Sequence, residues 1–90
     1  MLSKNIEIAL NKQIRIEAES SQIYLSMACW AEVSGLEGIA QFMFAQSDEE
    51  RLHMLKLIKY VNERGGHAQI TDLKECLKSF INMKFLFRIL

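Results

Sequence analysis

A carboxylate and an imidazole lie three residues apart in the stretch S-D-E-E-R-L-H-M, residues 47–54, on the apolar side of a segment with helical periodicity. Positions i and i+3 of a helix share one face, so Glu50 and His53 can reach the same point in space. A buried ionised carboxylate is costly unless something compensates it. A divalent iron, zinc or manganese ion is one such compensation, because these metals accept mixed oxygen and nitrogen ligands.

A second carboxylate occupies a comparable position in an earlier helical segment. Glu17 interrupts a stripe of apolar and small residues that follow one another in steps of four and three: Ile6, Leu10, Ile14, Glu17, Ser21, Tyr24, Ala28 and Ala31. Tyr24 lies roughly two turns from Glu17 on the same face, so it can hydrogen-bond to a ligand carboxylate. The stripe around Glu50 consists of Ile39, Phe42, Met43, Gln46, Glu50, His53, Leu57, Tyr60 and Val61.

Two long helices are needed to position these side chains. The pattern predicts a first helix from about residue 3 to about residue 33, with Ser3 as its N-cap. The segment S-G-L-E-G, residues 34–38, breaks it, and a second helix follows to about residue 64, where Gly65 and Gly66 end it. Such a short connection makes the helices antiparallel neighbours. Their midpoints then align, so we expect Glu17 to lie opposite Glu50 and His53.

Composition supports an all-α chain. The 90 residues include no proline and only four glycines, which favours long uninterrupted helices. No period-two run of β-branched residues and no Asn-Gly or Asp-Gly hairpin signal is present. Half of the residues are apolar, which is rich for so short a chain. We therefore expect something beyond a lone monomer to cover part of that apolar surface.

Charge and the N-terminal sequence argue against several functional classes. Residues 1–75 carry 8 basic and 11 acidic side chains, which gives no basic footprint for nucleic acid. The N-terminus lacks the apolar core of a signal peptide, and no stretch reaches the roughly 20 apolar residues of a membrane span. Two isolated cysteines, Cys29 and Cys76, form no disulfide framework. We expect a reducing, cytoplasmic environment.

The residues together resemble a known family. Glu17 followed by Tyr24 seven residues later, Trp30, the motif E-E-x-x-H-M at residues 49–54 and the glycine-rich end of the second helix are similar to bacterial non-haem ferritin. The resemblance covers residues 1–75. It implies the first two helices of a ferritin-like four-helix bundle, in which a di-iron site is built from carboxylates and Glu-x-x-His motifs.

The resemblance also implies an activity and residue roles. Ferritins oxidise iron(II) to iron(III) with oxygen or peroxide at a di-iron centre and store the ferric product in a many-subunit cage. By this likeness Glu17 and His53 are terminal iron ligands and Glu50 bridges the two irons. Glu49 corresponds to a ligand of a third iron site in bacterial members, and Tyr24 to the catalytic tyrosine beside the centre. The implied cofactor is non-haem iron.

The C-terminal segment departs from this family pattern. Ferritins continue through a long crossover into two further helices, and the stretch D-L-K-E, residues 72–75, resembles the start of that crossover. From Cys76 onward we expect a divergent tail, residues 76–90, which is apolar with three cations and no acid. A truncated or frame-shifted gene would give such a tail. The second iron site is then expected to be incomplete within one chain.

Three functional hypotheses remain open on the sequence. In the first, two hairpins form a homodimer or a higher homo-oligomer, and the symmetric bundle completes a four-carboxylate, two-histidine site that binds iron(II) and iron(III). In the second, the chain is a non-enzymatic helical fragment that acts only as a structural module or associates with full-length ferritin. In the third, the cationic tail lies on anionic lipid, although packing or disorder of the tail is the stronger reading.

Overall fold

Two antiparallel helices form the described part of the chain. The computed structural model describes residues 2–73 and contains α1 (Lys4–Val33) and α2 (Glu37–Glu63), with no strand in that range. The helices pack against each other along their length as a hairpin. The prediction of an all-α two-helix hairpin is confirmed, and both helices lie within one residue of the expected limits.

The ends of α1 follow from local hydrogen bonding. The Ser3 side chain accepts a hydrogen bond from the backbone N–H of Ile6 at 3.2 Å, which caps the first turn as expected. At the other end Gly35 has φ 78°, and the N–H of Leu36 donates to the carbonyl oxygen of Ala31 at 2.8 Å. This left-handed glycine cap reverses the chain, so α2 begins at Glu37.

The end of α2 has the same design, and the chain then returns along α1. Gly65 has φ 85°, and the N–H of Gly66 donates to the carbonyl oxygen of Val61 at 3.0 Å. The N–H of His67 donates to Oε2 of Glu7 at 2.9 Å. Residues 67–73 therefore form an irregular segment that is anchored to the first half of α1.

The core consists of two apolar clusters separated along the hairpin. The turn-end cluster, near residues 34–36, contains Met27, Ala28 and Met43, with Tyr24, Trp30 and Phe44 packed against it. The terminal cluster, at the opposite end, contains Ile14, Val61 and Ala68, with Leu2, Leu10, Met54, Leu57 and Ile58 packed against it. The clusters bracket the middle of both helices, where the polar residues lie.

Only part of the apolar stripe of α2 faces α1. The buried residues of α2 are Ala40, Met43, Ser47 and Val61. From the expected stripe, the exposed members are Ile39, Phe42, His53 and Tyr60. His53 therefore lies on the open face of the hairpin, and its burial in the core of an assembled bundle stays a prediction. The cause is geometric: α2 turns a neighbouring face toward α1 and leaves half of its wide apolar stripe open.

The predicted boundary at residues 75 and 76 and the divergent tail, residues 76–90, lie outside the residues described, so they stay predictions. Neither α1 nor α2 combines the length and apolarity that crossing a bilayer requires.

Candidate metal centre

Three side chains from two helices converge at the middle of the hairpin. Glu17 of α1 and Glu50 and His53 of α2 each offer one ligand atom, and these atoms all lie within 4.8 Å of one another. Nδ1 of His53 lies 3.7 Å from Oε2 of Glu17 and 3.9 Å from Oε2 of Glu50. The antiparallel register therefore brings together the three residues that spacing selected as ligands, whose metal-binding role stays a prediction.

The cluster is shielded on one side and open on the other. The side chains of Glu17 and Glu50 are 16% and 22% exposed, whereas that of His53 is 48% exposed. Both carboxylates thus lie in the groove between the helices, and the imidazole lies at its rim. A ligand or a further helix has access to the cluster from the side of His53.

The two carboxylates perturb each other in opposite directions. A side-chain hydrogen bond with Glu50 is the main cause that lowers the pKa of Glu17, and Gln13 and His53 lower it further. The same hydrogen bond is the main cause that raises the pKa of Glu50; burial and repulsion from Glu17 and Glu49 raise it further. Of the two carboxylates, Glu50 is therefore the one that binds a proton more readily, and Glu17 is the one that stays ionised to lower pH.

Gln13 orients the Glu17 carboxylate, a role that the sequence reading missed. Its Nε2 donates a hydrogen bond to Oε1 of Glu17 at 3.0 Å. Since that bond engages Oε1, the other oxygen, Oε2, is the one that faces His53. A glutamine four residues before a glutamate on a helix is the signal that indicates such a pair. Polar groups that orient a ligand are the usual surroundings of a metal site.

Tyr24 and Glu49 lie outside this three-residue cluster. Tyr24 is half-buried and packs against the turn-end cluster, and within residues 2–73 its hydroxyl makes no hydrogen bond to the carboxylates. Glu49 is exposed on the flank of α2, where its charge contributes to the raised pKa of Glu50. The catalytic role of Tyr24 and the metal-ligand role of Glu49 stay predictions.

The donor set suits a divalent transition metal. Two carboxylates and one imidazole give the mixed oxygen and nitrogen ligands that iron, manganese and zinc accept. Bringing two carboxylates together is unfavourable in water-poor surroundings, and a cation between them removes that repulsion. Three protein ligands also leave coordination positions open for water or a reactant. The residues therefore fit a metal ion that is bound from one side by a single hairpin.

Antiparallel helices that present Glu17 against a Glu-x-x-His pair define a ferritin-like helical pair, and comparison with known proteins agrees. A family model described as a ferritin-like domain matches residues 7–84. The chain therefore belongs to the ferritin-like domain family. Relatives confirm the resemblance to bacterial non-haem ferritin. The chain is 37% identical over 87 residues to the bacterial non-heme ferritin of Campylobacter jejuni. It is 42% identical over 69 residues to that of Staphylococcus aureus.

Solved structures give the same fold. A ferritin of Chlorobium tepidum superposes with a TM-score of 0.86 at 36% identity and covers 98% of this chain. An open-pore ferritin of Archaeoglobus fulgidus gives a TM-score of 0.83 at 35% identity over 89% of this chain. The aligned region is 55% of the first chain and 49% of the second. It is 52% of the Campylobacter jejuni protein and 42% of the Staphylococcus aureus protein, so the chain spans about half the length of its relatives.

Proposed function

We propose that this chain binds iron for storage and oxidises iron(II) to iron(III) at a di-iron site that homodimerisation completes. The observation that carries the proposal is the convergence of Glu17, Glu50 and His53 within 4.8 Å across two helices. Membership of the ferritin-like family and the bacterial non-heme ferritin relatives support iron as the metal. The cytoplasm is the compartment that we assign to this function.

Each residue has a defined task in this proposal. Glu17 and His53 hold one iron(II) ion as terminal ligands, and Glu50 bridges to a second. Because the pKa of Glu50 is raised, protonation of this carboxylate competes with metal binding as the pH falls. Gln13 engages Oε1 of Glu17, so Oε2 is directed toward His53 and would be available to the ion. Oxidation removes one electron from each iron(II), and dioxygen takes two electrons and two protons to become hydrogen peroxide.

A second hairpin has an apolar surface to cover. Ile39, Phe42 and Tyr60 lie on the same stripe of α2 as His53, since successive members are three, eleven and seven residues apart. These three side chains are 37%, 52% and 42% exposed. Covering this stripe buries apolar area and brings two more carboxylates and an imidazole to the open side of the site. A full-length ferritin that donates its own helices would cover the same surface, and it is the second partner that we consider.

The test measures assembly and metal binding together. Sedimentation of the full chain in anaerobic buffer, with and without iron(II), gives its mass, and bound iron is counted per chain. The expected result is a dimer that holds about two irons and consumes oxygen when air is admitted. Glu17→Ala should abolish binding and oxygen uptake, whereas the matched control Glu32→Ala, which replaces an exposed glutamate of the same helix, should not. Unchanged uptake in Glu17→Ala contradicts the proposal.

One observation favours a second candidate function. His53 is 48% exposed, so in a single hairpin the ligands lie open to water on one side. A chain in that state is a non-enzymatic helical module that associates with other ferritin-like helices through its apolar stripe. The same experiment separates the candidates: a species that assembles but binds no iron and consumes no oxygen supports the module and contradicts the ferroxidase.

A further inference from the structure

A pair of serines joins the two helices between the two apolar clusters. The Ser21 hydroxyl donates to the carbonyl oxygen of Ser47 at 2.9 Å, and the Ser47 hydroxyl donates to the carbonyl oxygen of Ser21 at 2.8 Å. Their Oγ atoms lie 2.9 Å apart. Ser47 is 5% exposed and is the buried polar residue of α2. Because each hydroxyl reaches the opposite backbone, the two helix backbones approach closely at this level.

The serine pair lies one helical turn from the metal ligands. Ser21 follows Glu17 by four residues, and Ser47 precedes Glu50 by three. Since the helices are antiparallel, both steps run in the same direction along the hairpin and cover about 6 Å on α1 and about 4.5 Å on α2. Any axial slide of α1 against α2 at the serine pair is therefore transmitted directly to the contact of Glu17 with Glu50 and His53.

The apolar clusters on either side hold the helices together but resist sliding poorly. Hydrophobic attraction is non-directional and depends on the area buried. Hydrogen bonds weaken steeply when donor and acceptor move apart or lose their alignment. A buried hydroxyl that loses its acceptor also retains its desolvation penalty. The reciprocal serine bonds are thus a directional contact between the two helix interiors, and this contact is sensitive to axial register.

We propose that Ser21 and Ser47 are positioning residues of the metal site. Their reciprocal hydrogen bonds fix the axial register of α1 against α2, and that register sets the distances from Glu17 to Glu50 and His53. The metal-binding consequence rests on the proposed function. The register itself is a property of the metal-free hairpin and can be measured without any metal.

The first experiment measures register in the metal-free full chain. Nuclear Overhauser cross-peaks are expected between the ring protons of His53 and the side-chain protons of Glu17, because their polar atoms lie 3.7 Å apart. Ser21→Ala and Ser47→Ala should weaken these cross-peaks. Ser21→Thr, which retains a hydroxyl, should keep them, and so should the control Ser26→Ala, which lies on α1 outside the serine pair.

The second experiment measures affinity for cobalt(II), whose visible absorption spectrum reports the ligand geometry. Loss of a group that orients metal ligands lowers affinity by about 10-fold or more. We expect such a loss and an altered spectrum in Ser21→Ala and Ser47→Ala, and wild-type behaviour in Ser26→Ala and Ser21→Thr. All titrations are made well below the unfolding midpoint of each variant, so a lower stability alone does not change the reading.

The outcomes separate the serine proposal from the function proposal. Unchanged cross-peaks in both alanine variants overturn the serine proposal, even if their unfolding midpoints fall. Weakened cross-peaks support it, even if the wild-type chain binds no cobalt(II), a result that would count against the metal function only. If Ser47→Ala does not fold, Ser21→Ala decides, because Ser21 is only half-buried and its removal leaves a smaller defect.

Discussion

The Nδ1 atom of His53 on α2 lies 3.7 Å from Oε2 of Glu17 on α1. This contact joins the middle of one helix to the middle of the other, so it exists only when the hairpin is folded. A metal ion held by both residues therefore binds the folded chain and has little affinity for the unfolded one. Binding and folding are thermodynamically linked as a result.

Metal should accordingly raise the stability of the hairpin. Cobalt(II) at 100 times its dissociation constant should add about 2.7 kcal/mol to the free energy of unfolding, measured by circular dichroism during thermal or urea unfolding. Glu17→Ala should eliminate this gain because it removes the only ligand that α1 supplies to the cluster. Glu32→Ala should retain it. A metal-induced gain of equal size in Glu17→Ala and the wild type would show that the ion binds elsewhere.

Glu50→Gln should stabilise the metal-free chain at neutral pH and weaken metal binding. The pKa of Glu50 is raised, so its contribution to stability is present in acid and is lost as the pH rises through that raised pKa. The pKa of Glu17 is lowered, so its contribution is present at neutral pH and is lost as the pH falls through that lowered pKa. A glutamine amide donates a hydrogen bond to Glu17 at every pH. The stability that Glu50 loses as the pH rises is therefore not lost in Glu50→Gln.

The measurement is urea unfolding of the metal-free variants at pH 7 and below about pH 4, where an ordinary glutamate is largely protonated. The free energy of unfolding of Glu50→Gln should exceed that of the wild type at pH 7, and this difference should shrink in acid. Glu50→Ala is the control, since it removes the charge without supplying a donor to Glu17, and it should be less stable than Glu50→Gln. Equal stability of the two variants at pH 7 would argue against the hydrogen bond between the carboxylates.

Local sequence signals are sufficient to predict the helices and the convergence of Glu17, Glu50 and His53. Ser3, Gly35 and Gly65 mark helix ends through side-chain capping and positive φ, which depend on a few neighbouring residues. Glu17, Glu50 and His53 lie at similar heights because a short turn makes two helices of similar length antiparallel, which brings their midpoints near each other. Both predictions rest on chain connectivity and helical geometry, which a sequence contains.

An uncovered apolar face is expected from the composition, but which half of the apolar stripe of α2 meets α1 is not predictable in the same way. Apolar residues of α2 extend over a stripe wide enough for two neighbouring helices, and the sequence does not specify which half meets α1. Small side chains determine which half meets α1. Ala40 and Ser47 allow the backbones of α1 and α2 to approach closely and are buried, whereas Phe42 stays exposed. The reciprocal bonds of Ser21 and Ser47 depend on that approach, so they became visible only in three dimensions.

Substitution by alanine should change the free energy of unfolding in opposite directions at Gly35, in the interhelical turn, and at Gly38, at the start of α2. Gly35 has φ 78°, so Gly35→Ala should lower the free energy of unfolding by about 1 kcal/mol through backbone strain, although space is open around it. Gly38 lies in the first turn of α2 with nothing within 4 Å of an added Cβ, so Gly38→Ala should raise it by roughly 0.5 kcal/mol. Urea unfolding of both variants tests this, and a shift of the same sign in both would contradict it.

The open stripe of α2 should control assembly. Phe42 is 52% exposed on the same stripe as His53, so Phe42→Lys should place a charge in the proposed dimer interface and shift the sedimentation mass to that of a monomer. Leu55→Lys is the control, because Leu55 lies two residues beyond His53, about 200° round the helix, and is 37% exposed. Helical circular dichroism should remain in both variants. If Leu55→Lys dissociates the dimer and Phe42→Lys retains it, the interface lies on the opposite side of α2, away from Glu50 and His53. A bundle that completes the iron site would then be excluded.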